Sequence, residues 1–435
     1  MKTKLLATVA LSALLLPLSA YAQQVDEDDA VLLDRIIISA GRTPVEEEKT
    51  GRSYTIIDGE QLERSQTRYV ADALRQVPGF HVSRTGSFGG LTQIRVRGAE
   101  GNHVLVLIDG VEVSETSQGE FDFGSLQATD IERIEVLRGP QSSLYGSDAL
   151  AGVVNIITKR GNRNSTESGY QAEYGSDNTR LISGYLRGGT ENFDGSISLS
   201  HRTTDGFNIS DFGTEKDGDE NLTLNGRFNW DVAPNFSVDG TLRYIDRLSD
   251  IDNQDFAFPA TPTQGLVIDT GDQTGTEEIA GSLGFTATTP DESWTHRARV
   301  SATETTRGQL LNGVPAPGGN EGERYKALYQ ITHRLEDSGG NLHSLTGGYE
   351  WERETFRNIA PLFGFGNPSQ LATQERTQQS LVGEYRGEFA DQFYFNLGGR
   401  QDFNEEFEDA FTYSASLAWA VPDSGTRFHA SVGTG

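Results

Sequence analysis

The chain has 435 residues, no Cys, and 36 Lys plus Arg against 63 Asp plus Glu, a net charge of −27. Without cysteine there is no disulfide framework and no thiol chemistry. Nucleic-acid binding needs clustered cations to release phosphate counterions, which this balance argues against; it suits a surface that holds divalent cations or sits in a sugar-coated membrane bridged by them.

The first 22 residues read as a secretory signal peptide: Lys2 and Lys4, an apolar run from Leu5 to Leu18, then Ala20-Tyr21-Ala22 as a small-x-small cleavage site, with the mature chain starting near Gln23. No later stretch approaches the ~18 apolar residues of a spanning helix. Export without a helical anchor leaves a periplasmic protein, a secreted one or an outer-membrane β-barrel.

After the acidic stretch Asp26-Glu27-Asp28-Asp29 comes Asp34-Arg35-Ile36-Ile37-Ile38-Ser39-Ala40, a β-branched run. Exposed and extended, it would offer unpaired backbone groups to a partner strand; the alternative is an ordinary first strand of the domain that follows. Residues 41–161 read as a small α+β globule. Asp58 to Val77 has helical apolar spacing (Leu62, Val70, Ala73, Leu74, Val77), a capping Asp58 and a stop at Pro78-Gly79. Short strands are predicted at Gln93–Arg97, His103–Ile108 and Arg133–Leu137. Arg95, Arg97, Arg133, Glu135 and Arg138 fall on these strands, either paired across a buried boundary or solvated. Two Gly-rich or polar stretches, Ser87-Phe88-Gly89-Gly90-Leu91-Thr92 and Ser114-Glu115-Thr116-Ser117-Gln118, are candidate outward loops that reshape around a ligand.

From about Gly169 the period becomes two. Leu222, Leu224, Phe228, Trp230 and Val232 fall on one side of a strand, and Thr223, Asn225, Arg227, Asn229 and Asp231 on the other; Tyr325–Leu335 and Phe411–Val421 follow the same beat. A soluble sheet with one wet face would also alternate. Strands of about 9–13 residues, aromatics at their ends (Tyr170, Tyr174, Trp230, Phe236, Tyr244, Trp294, Tyr325, Trp419) and alternating tight and long connections favour a transmembrane antiparallel β-barrel. Tight turns are expected at Ala233-Pro234-Asn235 and Ala390-Asp391-Gln392, and long loops at Asn208–Asn221, Asp250–Thr276 and Asn358–Glu375. Roughly 13 strands are counted, an odd number for a bacterial barrel. The chain stops inside a strand-like pattern at Ser431–Gly435, so the barrel is expected to be a part of a larger one, with the globule sized to sit in its lumen.

Asp217-Gly218-Asp219-Glu220-Asn221 and Asp250-Ile251-Asp252-Asn253-Gln254-Asp255, with Asp269, place carboxylates on neighbouring loops, a chemistry that suits Ca²⁺; solvated acidic loops are the alternative. An EF-hand is excluded, since Leu222 and Phe228 stand at its Gly and Glu positions. Nucleophile-elbow, His-Glu-x-x-His and phosphate-loop motifs are absent from the sequence, and no catalytic residue is assigned.

The ordered set Val77-Pro78-Gly79, Ile94-Arg95-Val96-Arg97-Gly98, Val104–Val111 and Ile131–Thr158, with its Leu137-Arg138-Gly139-Pro140 and Tyr145-Gly146-Ser147-Asp148-Ala149, resembles the plug of TonB-dependent outer-membrane receptors. Within that family Tyr145–Ala149, Gly152–Thr158 and His103–Val111 are most similar to the cobalamin (vitamin B12) transporters, strongly to about Lys159 and loosely beyond. The resemblance implies a signal peptide (1–22), a periplasmic segment (23–40) whose Asp34–Ala40 is the Ton box, a plug (41–161) and a barrel of 22 strands, of which residues 166–435 supply the first part. It implies a monomer in the outer membrane of a Gram-negative bacterium, in contact with its lipid. The partner is TonB, energised by the ExbB–ExbD inner-membrane complex, and the cargo is cobalamin, a related corrinoid or, alternatively, a ferric siderophore. It places ligand contacts at Phe88, Gly89, Gly90, Leu91, Thr92, Ser114, Glu115, Thr116 and Ser117. Structural Ca²⁺ falls to Asp217, Asp219, Asp255 and Asp269, with Asn208 standing where the family pattern has Asp. Receptors of the family pair plug arginines with barrel carboxylates. A passive porin-like or adhesin barrel is the different-class alternative, and neither needs a Ton box.

Overall fold

The computed structural model describes residues 36–359, 372–422 and 424–435; the export signal, Asp26–Asp29, Asp34 and Arg35 lie outside them. The N-terminal domain consists of β1 (Ile36–Ile37), β2 (Val45–Glu46), β3 (Ser53–Asp58), α1 (Gly59–Arg64), α2 (Val70–Leu74), β4 (Phe80–Arg84), β5 (Thr92–Val96), β6 (Val104–Ile108), β7 (Val111–Glu112), β8 (Ile131–Arg138), α3 (Ser142–Tyr145) and β9 (Gly152–Thr158). Its main sheet has the order β3-β8-β9-β6-β7, with β6 and β9 parallel and the other neighbours antiparallel. The runs Val104–Ile108 and Gly152–Thr158 are apolar almost throughout because both faces are covered. Val104, Val106, Ile108, Val154 and Ile156 pack into one core with Leu62, Val70 and Leu74. Leu105, Leu107 and Val153 pack into a second, smaller one with Ile37, Ala40 and Val45.

The helix expected over Asp58–Val77 is two short helices. After α1 the Ser65 hydroxyl donates to the Gln61 carbonyl at 2.7 Å and Gln66 takes a φ of 52°. Tyr69 is then extended, bridges to Gln127 and stacks on Phe88 with ring centroids 6.4 Å apart. Side chains that hydrogen-bond locally compete with the helical ladder, and tertiary stacking of Tyr69 settles the break.

Thirteen strands follow in sequential antiparallel order: β10 (Thr166–Tyr174), β11 (Arg180–Gly189), β12 (Phe193–Phe207), β13 (Asp217–Ala233), β14 (Phe236–Gln254), β15 (Val267–Thr288), β16 (Trp294–Leu311), β17 (Val314–Glu336), β18 (Leu342–Asn358), β19 (Gln374–Phe389), β20 (Phe393–Asn404), β21 (Ala410–Ala420) and β22 (Arg427–Gly433). The polarity of the two faces is inverted relative to a soluble sheet. On β13 the outer Trp230 and Val232 are 46% and 44% exposed, whereas the inner Asn221 and Thr223 are 2% and 5% exposed. Ile182, Leu199, Leu242, Ile279, Val300, Leu345, Leu381 and Leu397 continue the exposed apolar band around the wall. A soluble protein does not leave a continuous apolar face of that extent bare; lipid covers it, and the plug domain covers the polar side.

The tight turns fall where expected, Ala390 and Asp391 adopting left-handed φ values of 53°. Strand lengths do so only for β10, β11, β20 and β21, which have 9, 10, 12 and 11 residues. β15 has 22 residues and β17 has 23, where about 9–11 suffice to cross a bilayer. The expected loops Asn208–Asn221 and Asp250–Thr276 shrink to 208–216 and 255–266, the remainder being strand. Beyond the lipid no apolar requirement marks the outer half of a strand, so its sequence reads as a loop. Most of the expected third loop, Asn358–Glu375, lies outside the described residues.

Candidate functional site

The outer ends of β13, β14 and β15 converge on a carboxylate cluster. One acid pair, Glu215-x-Asp217, and another, Asp250-x-Asp252, each put two side chains on one side of an extended chain. Oxygens of Glu215, Asp217 and Asp252 lie within 4.8 Å of one another. Each group is fixed through one oxygen: Asp217 accepts from the Ile209 amide at 3.2 Å, Asp252 from the Thr270 amide at 2.9 Å, and Asp269 from the Glu215 amide at 2.7 Å. The other oxygen of each, and Oε2 of Glu215, is buried without a hydrogen-bond partner. Burial first, then the facing charges of Asp217, Asp252, Asp250 and Asp269, push the Glu215 carboxyl up to about 7. Buried, unsatisfied carboxylate oxygens facing each other are costly unless a cation joins them.

The structure brings Asp217 and Asp269 of the sequence candidates here, and leaves Asp219 and Asp255 elsewhere. Asp219 accepts from Arg247 at 3.1 Å and Ser249 at 2.6 Å. Asp255 accepts from the Ala257 amide at 2.8 Å and the Thr263 hydroxyl at 2.7 Å, organising its own loop. Asn208 reaches Asp269 at 3.4 Å. Asp250 and Asp252 lie in the acidic run that the sequence offers but are not among its four singled-out ligands, and Glu215 lies outside both runs; the two acid-x-acid pairs on adjacent strand ends are the available signal.

The candidate ligand loops are mostly anchored. Ser87 receives the Phe207 amide at 3.1 Å, Phe88 packs edge-on against Phe207 at 5.7 Å, and Thr92 is fully buried. A side chain on Gly90 would meet the Thr85 carbonyl at 2.0 Å, so only glycine permits that fold of the loop; Gly89 lies equally tight against Asp219. Ser114 is buried, Glu115 pairs with Arg307 at 2.9 Å, and Thr116 donates to the Thr355 carbonyl at 3.1 Å. Leu91 and Ser117 stay exposed. Both loops touch the long-loop end of the wall, while Lys49 meets Glu388 at 2.8 Å beside the tight turn at the other end.

Ionic contacts between plug and wall run largely opposite to the expected plug-arginine pattern. Asp109, Glu112, Asp122 and Asp130 of the plug pair with Arg227, Arg324, Arg247 and Arg187 on the inner faces of the strands. Arg133 pairs within the plug with Glu132 and Glu135, Arg138 donates to the Tyr54 carbonyl at 3.0 Å, and Arg95 and Arg97 are exposed. Inward strand positions occupied by Arg carried this signal in the sequence.

Of the run Asp34–Ala40, the described part is not loose. Ile36 and Ile37 pair with Glu46 and Val45 of β2, Ile37 is fully buried, and the chain bends at Ile38–Ala40. Arg42, just beyond, contacts Glu350 at 2.5 Å and donates to the Leu144 carbonyl at 2.7 Å.

A wall of sequential antiparallel strands, apolar outside and polar inside, with its own N-terminal domain against the polar face, is the architecture of a plugged transmembrane β-barrel of the receptor type. Residues 46–153 match the model of the TonB-dependent receptor plug domain, and residues 158–435 match the TonB-dependent receptor-like β-barrel. The chain belongs to the TonB-dependent receptor family. It is 28% identical over 440 residues to the vitamin B12 transporter BtuB of Photobacterium profundum, covering 100% of this chain and 66% of that protein. To the protein of the same name in Vibrio vulnificus it is 27% identical over 443 residues, covering 98% and 68%. Among solved structures it is similar to the siderophore receptor PirA of Acinetobacter baumannii (TM-score 0.67, 20% identity, 85% of this chain and 59% of that one). It is also similar to a variant of the ferric enterobactin receptor PfeA of Pseudomonas aeruginosa in complex with enterobactin (TM-score 0.67, 20% identity, 85% and 60%). The chain thus spans about two-thirds of the length of these curated relatives, and the structural likenesses concern the fold.

Proposed function

We propose that the protein imports cobalamin or a related corrinoid across the outer membrane of a Gram-negative bacterium, by TonB-dependent active transport. The observation that carries this reading is the likeness to vitamin B12 transporters along the whole chain, plug and wall together. Ligand settles at the outer apices around Leu91 and Ser117. TonB, energised by the ExbB–ExbD complex, grips the strand at Ile36–Ser39 and pulls; the plug, held by discrete ionic contacts, yields locally. No covalent chemistry is involved. Equilibrium binding of cyanocobalamin against a panel of ferric siderophores tests the reading. Cobalamin is expected to bind and the siderophores not; a siderophore bound in its place overturns the corrinoid assignment.

Calcium is the structural ion proposed for the outer cluster. Glu215, Asp217, Asp252 and Asp269 would hold it, a set of hard oxygens suited to a cation that takes six to eight of them. Neutralising the cluster orders loop 208–216 before ligand arrives, so Ca²⁺ should raise ligand affinity by roughly 1–3 kcal/mol. The dependence on pH has a definite sign. A carboxyl raised to about 7 in the folded protein keeps its proton there while the unfolded chain has lost it. The contribution to stability is therefore fullest below the ordinary Glu range and is lost as pH rises through 7. Ca²⁺ must displace that proton at lower pH, and below about 6 the proton of Asp217, raised there by burial and the facing carboxylates, so its affinity should fall by about tenfold per unit below pH 7 and more steeply below 6. A Ca²⁺ titration of ligand binding at pH 5.5, 6.5 and 8, repeated on Asp217→Asn with Asp252→Asn, reads both effects. One ligand affinity throughout would make the cluster a solvated surface.

A further inference from the structure

The coupling strand is closed by a single carboxylate. Glu135 lies on β8 between β3 and β9, opposite Ile56 and Asn155. Its neighbours Ile134 and Val136 enter the larger apolar core, and Leu137 the smaller one. At 1% exposure Glu135 is among the most buried charges of the plug, at a place where an apolar residue would pack. A carboxylate so placed must be satisfied. Its acceptors take the Ile38 amide at 3.0 Å, the Ser39 amide at 2.9 Å and the Ser39 hydroxyl at 2.7 Å, and Arg133 pairs with it at 2.9 Å. The Tyr145 hydroxyl donates to the Ser39 carbonyl at 3.0 Å.

We infer that Glu135 is an autoinhibitory cap, holding Ile38–Ala40 in a bend and occupying the backbone donors that an incoming partner strand needs. This rests on the reading of Ile36–Ser39 as the coupling strand. Strand addition requires those residues extended with free amides. In this structure Ile36 and Ile37 are paired with β2, and the Ile38 and Ser39 amides are spent on Glu135. Capping and partner pairing exclude each other. The β1–β2 ladder is only two residues long, so the charge-assisted bonds to Glu135 are the stronger half of the closure. Because β8 is an interior strand of the plug sheet, between β3 and β9, a change there can reach the coupling strand directly. Glu135 is thus a positioning residue, acting on access rather than on ligand.

These 435 residues hold no cysteine, so a single introduced thiol is a clean reporter once any cysteine elsewhere in the full-length receptor is replaced by Ser. Ile37→Cys, buried at rest, is labelled with a maleimide in ligand-free protein, in the parent, in Glu135→Ala and in Val136→Ala. The last disturbs the same strand on its other face. On the native Ile37 background, the affinity of the purified periplasmic domain of TonB is measured for the same set. Glu135→Ala is expected to raise both labelling rate and affinity at least tenfold, Ser39→Ala by less, and Val136→Ala to stay within twofold of the parent. Parent-like labelling in Glu135→Ala, or equal labelling in Val136→Ala, overturns the cap. Faster labelling with unchanged affinity upholds the cap and instead removes the reading of Ile36–Ser39 as the TonB-binding strand.

Discussion

Ile37→Pro is expected to abolish energised uptake while leaving ligand binding at its parental level. Proline removes a backbone donor and fixes φ near −65°. It therefore cannot complete the ladder that Ile37 makes with Val45 at rest, nor the one that strand addition would make with TonB. The ligand apices, Ser87–Thr92 and Ser114–Gln118, are tied to the wall by bonds of their own, so binding is insulated from the change. Loss of the Ile37 contacts with Leu105, Leu107, Leu137 and Val153 loosens one face of the five-stranded sheet, while the larger core on its other face keeps all its members. Uptake by whole cells and equilibrium binding to isolated receptor, measured on the same full-length variant, separate the two. Survival of uptake would mean that the coupling strand lies elsewhere.

Arg324→Ala should be the most destabilising single change in the seam between plug and wall. Arg324 is 3% exposed and reaches Glu354 at 2.5 Å, Glu112 at 3.2 Å and Glu352 at 3.2 Å, besides donating to the Ser114 carbonyl at 2.7 Å. Removing one partner from a buried ionic cluster leaves the others uncompensated, a loss of about 3–5 kcal/mol. Lys326, which also contacts Glu112 and Glu352, sets the lower end of that range. Urea unfolding of the full-length receptor in detergent gives the number. Combining Arg324→Met with Glu112→Gln and Glu354→Gln should recover most of the loss, because the orphaned charges disappear with their partner. A single variant within about 1 kcal/mol of the parent, as exposed pairs show, would mean that water already screens the seam.

Much of the wall was legible because its determinant is local. Alternation along Leu222–Val232 assigns each residue to lipid or lumen with no knowledge of its neighbours, and the plug's apolar strands announce themselves in the same way. What escaped depended on contacts between distant segments. The break between α1 and α2 is settled by Tyr69 stacking on Phe88, and no spacing within Asp58–Val77 encodes it. Asp255 and Asp252 stand three residues apart in one acidic run, and only the register of β13, β14 and β15 decides which of them faces Glu215. The orientation of Glu135 is not encoded near it, since the strand it holds lies 97 residues earlier. The reversed polarity of the seam follows from inward Arg on the wall, a parity that could have been tallied once strand directions were assigned.

The division of each strand into one apolar and one polar side has a consequence for how such a chain is made. Among the described residues no strand of the wall is apolar along its whole length, so none of these would be retained by machinery that detects continuous hydrophobic segments. Before pairing, the greasy half of every strand is diluted by the polar half, and the chain can travel through water. The belt that lipid recognises comes into being only when neighbouring strands line up their odd or even positions. Insertion and strand pairing are therefore two descriptions of one event, and a register slip of a single residue in β13 would turn Trp230 inward and Arg227 toward lipid. Quality control is thus written into parity: a misaligned strand is rejected by the membrane itself.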